Sequence, residues 1–147
     1  MQNQTNSTLK ISHYFPASPE KVWQAWTDPT IVKSWFGSDP NGIVLDASLD
    51  VRPGGTFEVT FQNADGTQFT SIGQYKEIEP YQKLVFSWAW KDRPEVIELI
   101  SIVFQAEQNG TKMFFEHANI DPATTHGYEG GWKSTFEKLE RTLKTES

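Results

Sequence analysis

Apolar and polar residues alternate along much of the chain, and this alternation predicts strands. It first appears in "LKISHYF", where Leu9, Ile11, His13 and Phe15 fall on one side. Four further segments show the same period: 43–49, 56–62, 69–79 and 83–90. Most of these segments follow one another through tight turns, so we expect hairpins and an antiparallel sheet with one buried face.

The last hairpin fixes which residues face the core. Asn109-Gly110 is the strongest short signal for a two-residue turn, because that turn needs positive φ twice. In this register Ile102 lies opposite His117, and Phe104 lies opposite Phe115. The alternation then predicts one face that includes Glu98, Ile100, Ile102, Phe104, Phe115 and His117.

Three proline-containing segments indicate helix starts. Ser18-Pro19-Glu20 and Asp28-Pro29 each join an N-cap side chain to a proline at the first helical position. We therefore expect two short helices after the first strand. Asp121-Pro122 is expected to open a last, long helix. Its apolar side chains form one helical stripe: Tyr128, Trp132, Phe136, Leu139 and Leu143.

This order of elements predicts an α+β fold in which a strongly curved antiparallel sheet wraps around the C-terminal helix. A chain of 147 residues fits one domain. We expect residues 1–7 to be a disordered tail and residues 8–147 to form the single domain.

Two adjacent glycines, Gly130 and Gly131, stand near the start of the last helix, although glycine costs about 1 kcal/mol relative to alanine there. We expect the helix to pass closest to the sheet and the first helices at this point, where a Cβ would collide. Trp132 would then point into the concave face. The helix is thus predicted to be a lid over an apolar cavity.

Composition narrows the function classes. The chain has ten Phe, six Trp and four Tyr, a net charge of −6 and no cysteine. Its lysines and arginines are scattered, which argues against nucleic acid and anionic membrane surfaces as partners. No apolar run approaches the ~20 residues of a membrane span, and the polar N-terminus lacks a secretory signal. We expect a cytoplasmic protein without a cofactor.

His117 is the best polar candidate for a site. It could orient a ligand or act as a general base near neutral pH, or it could be a core histidine bonded to the backbone. Glu98 could be a desolvated acid on the same face, or it could lie at the solvated end of its strand. The three histidines have no metal-ligand spacing, so no metal site is expected.

Several segments together resemble the activator of heat-shock-protein-90 ATPase homologue-like family, within the START-like (pollen-allergen-like, SRPBCC) helix-grip superfamily. They are "FPASPEKVWQAWTDPTIVKSWF" (15–36), "DVRPGGTFEV" (50–59), "GQYKEIEPYQKLVFSW" (73–88), "NGTKMFFEH" (109–117) and "GGWKSTFEKLERTL" (130–143). The resemblance implies a sheet of about seven strands gripping a long C-terminal helix, with an apolar ligand cavity between them. By the same resemblance Trp35, Trp88, His117 and Trp132 approach that cavity.

The leading hypothesis is a small protein that binds a hydrophobic molecule, because catalysis has no motif in this sequence. The expected ligand-binding residues, which could equally be ordinary core, are Trp35, Phe57, Phe61, Trp88, Trp90, Ile102, Phe104, Phe115, His117, Trp132 and Phe136. One alternative is an enzyme of the cyclase, dehydratase or hydrolase type, with His117 and Glu98 as acid and base. Another is a stress or chaperone-associated role with a chaperone partner. Pairing of two copies as a homodimer is a further expectation.

Overall fold

The computed structural model describes residues 6–145, apart from the side chains of residues 126 and 145. In chain order its elements are β1 Ser7–Phe15, α1 Pro19–Thr27, α2 Pro29–Trp35, β2 Ile43–Leu49, β3 Thr56–Gln62, β4 Gln68–Glu79, β5 Lys83–Trp90, β6 Arg93–Glu107, β7 Gly110–Ile120 and α3 Thr125–Thr145. The predicted α+β fold is confirmed. Of the expected tail, residues 1–5 lie outside the described residues, and Ser7 is the first residue of β1.

One curved sheet holds all seven described strands, in the order β1-β7-β6-β5-β4-β3-β2. Every neighbouring pair is antiparallel. Each hydrogen-bonded neighbour is also the next strand along the chain except β1, which pairs with β7. The alternating apolar side chains of β3, β5, β6 and β7 are buried on the inner face, and α3 crosses that face. The predicted grip of a sheet on the last helix is therefore confirmed.

Side-chain caps begin the two short helices as predicted. The Ser18 hydroxyl accepts from the backbone N–H of Lys21 at 3.2 Å, and the Asp28 carboxylate accepts from that of Thr30 at 2.9 Å. In each case a proline occupies the next position, where no intrahelical donor is needed. These caps fix the turn between α1 and α2 and place the end of α2 against the sheet.

The predicted start of α3 at Asp121-Pro122 is wrong, since the helix begins at Thr125. Asp121 instead closes a turn. Its carboxylate accepts from the backbone N–H of Ala123 at 3.0 Å, and its carbonyl accepts from that of Thr124 at 2.9 Å. Aspartate makes such local bonds to the backbone in turns as well as at helix starts, and here the helix does not follow at once. The chain therefore turns at the end of β7 before α3 crosses the sheet.

The predicted β6–β7 turn is displaced by one residue. Gln108 and Asn109 have the two positive φ values, 47° and 65°, so Ile100 pairs with His117 and Ile102 with Phe115. Gly110 is needed for a different reason. A Cβ there would collide with the Phe15 carbonyl oxygen, because the end of β1 pairs with the start of β7. The pairing shifts by two residues, so the predicted inner face is unchanged.

Candidate functional site

A pocket of about 430 Å³ opens between the first half of α3 and the sheet end formed by β3, β4 and β5. Its volume falls in the range of about 300–1,000 Å³ that is usual for small-molecule sites. Seven of the sixteen wall residues are aromatic: Phe36, Phe61, Phe69, Trp88, Trp90, Tyr128 and Trp132. The other wall residues are Gly37, Ser38, Asn63, Arg93, Ala123, Thr124, Gly127, Gly131 and Thr135. The arrangement is an apolar container with few polar groups.

The expected close approach at the double glycine is wrong. A Cβ on Gly130 would meet nothing within 4 Å, and a Cβ on Gly131 would make only ordinary contact with Ser38 at 3.4 Å. Gly131 lies one helical turn from Gly127, and both line the pocket. Since neither has a side chain, the wall is bare backbone at both positions. The glycines leave space for the pocket.

His117 and Glu98 come together, but behind the pocket wall. The Trp132 indole N–H donates to Nδ1 of His117 at 3.0 Å, and Nε2 of His117 lies 2.7 Å from the Glu98 carboxylate. Because Nδ1 accepts a hydrogen bond, the ring proton is on Nε2 and is donated to the carboxylate. His117 is 0% exposed and Glu98 is 6% exposed. This buried network fixes the orientation of Trp132 in the wall.

Tyr128 joins the pocket to this network. Its hydroxyl accepts from the Trp90 indole N–H at 2.8 Å, and its ring centroid lies 4.5 Å from that of His117. Burial raises the pKa of Tyr128 to about 12, and the negative charge of Glu98 acts in the same direction. Tyr128 therefore stays a neutral phenol at physiological pH, with its side chain in contact with the Trp90 indole and a buried imidazole.

The loop at residues 36–42 forms the third side of the pocket and is tied to its neighbours by hydrogen bonds. Ser134 donates to the Ser38 carbonyl at 2.7 Å, and Lys138 donates to the Asp39 carbonyl at 2.9 Å. The Asp39 carboxylate accepts from the backbone N–H of Ala64 at 2.8 Å. That bond and another from Asn41 hold the pKa of Asp39 below its usual value. The loop is thus fixed to α3 and to the β3–β4 turn.

Four of the expected ligand-binding residues line the pocket: Phe61, Trp88, Trp90 and Trp132. The others lie outside its wall, in the packed interior: Trp35, Phe57, Ile102, Phe104, Phe115, His117 and Phe136. A void bordered by two of these inner side chains, Trp35 and Phe57, measures only about 20 Å³. That is little more than the space of one water molecule. The pocket of about 430 Å³ therefore lies to one side of these buried residues, beside the first half of α3.

Sequence reasoning missed several wall residues. Phe36 and Phe69 are aromatic residues at the edges of predicted elements. Tyr128 belongs to the apolar stripe of the last helix, and such a stripe does not by itself indicate a site. Arg93 follows the β5–β6 turn and gave no signal, because its position depends on how that hairpin meets the pocket. Such residues are found only once the void itself is located.

The described residues contain no cluster of three or more side chains suited to hold a metal ion. Across residues 6–145, none of the helices has the length and apolar character needed to cross a membrane. The site thus consists of aromatic walls, a few hydroxyl and amide groups at the rim and one arginine. This chemistry can enclose an apolar molecule and orient it.

Similar structures share the whole fold. A protein from Nitrosomonas europaea has a TM-score of 0.82 at 24% identity, with 95% of each chain covered. A protein from Rhizobium leguminosarum has a TM-score of 0.77 at 26% identity, again with 95% of each chain covered. The AHSA1-like protein from Aeromonas hydrophila has a TM-score of 0.80 at 20% identity, covering 95% of this chain and 93% of its own.

A search of curated proteins gives no match. The sequence profile described as "Activator of Hsp90 ATPase homolog 1-like protein" matches residues 16–144, which is most of the chain. The matched range begins at the end of β1 and reaches nearly to the end of α3, so it includes every pocket residue. The chain therefore belongs to the activator of Hsp90 ATPase homolog 1-like family.

Proposed function

We propose that the protein binds a hydrophobic small molecule in the pocket beside α3. The observation that supports this most is the open volume of about 430 Å³ inside a wall of seven aromatic side chains. Of these rings, Phe69 is 36% exposed and Trp90 and Tyr128 are half-buried, so a ligand that enters would bury further aromatic area. A ligand of this kind would gain free energy by removing that apolar surface from water.

Paired glycine variants test this function. N-phenylnaphthylamine, an uncharged fluorescent probe, should bind the protein with increased emission. Gly131→Leu places a side chain in the pocket and should weaken binding by at least about tenfold, a loss of about 1.4 kcal/mol. Gly130→Leu adds the same side chain one residue away, where a Cβ faces open solvent, and should bind the probe normally.

Two results with these variants would contradict the proposal. Failure of the wild-type protein to bind any uncharged apolar probe would exclude it, and an equal loss in both variants would place the binding elsewhere. Native mass spectrometry of protein purified from its host would then identify a co-purifying molecule. Its release by Gly131→Leu alone would assign it to this pocket.

An enzyme using His117 and Glu98 is a second candidate, favoured by the 2.7 Å contact between them. Both ring nitrogens of His117 are already bonded, so a substrate would have to displace Tyr128 or Trp132 to reach the imidazole. Diethyl pyrocarbonate, followed by peptide mass spectrometry, measures this access. Labelling of His117 as fast as the partly exposed His13 would support the enzyme, and labelling only after unfolding would exclude it.

A protein partner is a third candidate. The outer face of β6 and β7 exposes Leu99, Val103 and Phe114 by 38–40% each, and the family is named for an activator of a chaperone ATPase. A chaperone or a second copy of the chain could cover this face. Chaperone ATPase rates measured with the protein, and its mass in solution by light scattering, test the two partners. Charge introduced by Val103→Lys should abolish either effect.

A further inference from the structure

Arg93 is the one charged side chain among the described residues that line the pocket. It is the first residue of β6 and pairs with Trp90 across the two-residue turn at 91–92. Trp90 in turn is bonded to Tyr128 on α3. A tight turn and a bonded indole thus fix the backbone of Arg93 at the rim of an apolar space.

The guanidinium of Arg93 has no partner within the part of the chain described. No acidic side chain lies within 4.0 Å of it, and no hydrogen bond or aromatic face engages it. Lys91, the nearest cation along the turn, does have a partner, because its ammonium lies 2.9 Å from the Glu58 carboxylate. Arginine remains charged at all relevant pH values and has several N–H donors in a planar fork. These donors are available to a ligand.

Resting on the function proposed above, we infer that the ligand is an apolar acid, with a flat body among the aromatic rings and a carboxylate bound by Arg93. A planar carboxylate matches the guanidinium fork through two parallel hydrogen bonds. One cation without a second basic group in the wall suits a monoanion better than a doubly charged phosphate ester. The neutral Tyr128 phenol and the rim residue Asn63 add no charge that would oppose it.

The net charge of −6 repels any anionic ligand over long distances. At physiological ionic strength charges more than about 8 Å apart are largely screened in solvent. The guanidinium is exposed at the rim, but a carboxylate in direct contact with it would lie well within that distance, so this attraction would be screened less. The local attraction therefore exceeds the distant repulsion, and added salt should weaken it.

Two probes of similar shape test the inference by calorimetry: naphthylacetate and the uncharged naphthylethanol. The wild-type protein should bind the acid about tenfold more tightly than the alcohol. Arg93→Gln should remove this preference and leave the alcohol affinity unchanged, and Arg93→Lys should retain part of it. Lys91→Gln removes the same unit of charge two residues away and should keep the preference in full. In wild type the preference should decrease as salt is raised.

The outcomes separate the two proposals. Alcohol and acid binding equally in wild type, or an equal loss of both in Arg93→Gln, would overturn the acid inference and leave the pocket function standing. Binding of neither probe would overturn both. Decanoate replaces the fused rings by an acyl chain. Naphthylacetate should bind more tightly than decanoate; tighter binding of decanoate would overturn the flat body, and the affinity of both must depend on Arg93.

Discussion

At the scale of single residues, the buried network explains why a polar imidazole is tolerated in an aromatic core. Both ring nitrogens of His117 have a partner, and Glu98 accepts the only ring proton. A buried polar group costs little when its bonds are made and up to about 3 kcal/mol when one is left unmade. The alternation of β6 and β7 predicted that His117 and Glu98 share a face. It gave no indication that Trp132 completes the network.

Because the Tyr128 phenol is protonated in the folded protein, the free energy of unfolding should change with pH in the alkaline range. Its pKa in the folded protein, about 12, lies above the value near 10 of an unfolded chain. The folded state therefore holds the proton more tightly, so its stabilising effect is complete below pH 10 and is lost as pH rises toward 12. The free energy of unfolding, measured in urea between pH 9 and 12, should fall less steeply in Tyr128→Phe.

The control for this experiment is Tyr81→Phe, at a tyrosine that is 47% exposed. Its alkaline profile should follow that of the wild-type protein. Tyrosinate absorbance gives an independent readout, since Tyr128→Phe should remove amplitude from the late part of the titration. The buried Tyr75 also has a raised pKa and should still contribute there. A wild-type-like profile in Tyr128→Phe would show that the phenol is not held as described.

At the scale of elements, α3 has two functions along its length. Phe136, Leu139 and Leu143 in its second half are at most 2% exposed and pack on the sheet. Its first half instead borders the pocket through Gly127, Tyr128 and Gly131. The same helix thus closes the core at one end and leaves a cavity at the other. The predicted lid is therefore solidly packed over half its length.

Alanine substitutions at Gly130 and Gly131 test whether the first half of α3 is free of close contacts at these positions. A Cβ meets open space at Gly130 and ordinary contact at Gly131, so neither substitution should clash. Gly130→Ala and Gly131→Ala should each raise the free energy of unfolding by up to about 1 kcal/mol, the cost of glycine in a helix interior. Urea denaturation measures it. A loss of stability in Gly131→Ala would mean that α3 lies closer to the loop at 36–42 than described.

At the scale of the whole molecule, the two faces of the sheet should differ sharply in their contribution to stability. Phe115 is 1% exposed on the inner face, and its neighbour Phe114 is 40% exposed on the outer face. Phe115→Ala should cost about 3–5 kcal/mol through lost burial and a cavity. Phe114→Ala should cost about 1 kcal/mol or less. Denaturation of both variants under one set of conditions tests the assignment, and similar losses would contradict it.

Sequence reasoning predicted the fold better than the site. Alternation and proline caps depend on neighbouring residues, so strand faces and the starts of α1 and α2 were predictable. The position of the β6–β7 turn was not predictable, because a Cβ on Gly110 would collide with Phe15, which is far away along the chain. The pocket was harder still. Whether an aromatic ring fills space or borders a void depends on side chains from four or more elements, as the contrast between Phe115 and Trp88 shows.

The bare backbone at Gly127 and Gly131 has a consequence for how ligand choice can change during evolution. Single substitutions there would add atoms to the pocket wall while the packed half of α3 and the inner sheet keep every contact. Core residues pack against many neighbours at once, whereas a Cβ at these two positions would contact almost none. At these two positions the size of the pocket can change without loss of core packing, whereas wall residues such as Trp88 and Trp132 also belong to the core. If the pocket binds a ligand as proposed, single mutations at these positions would be enough to change which ligands fit.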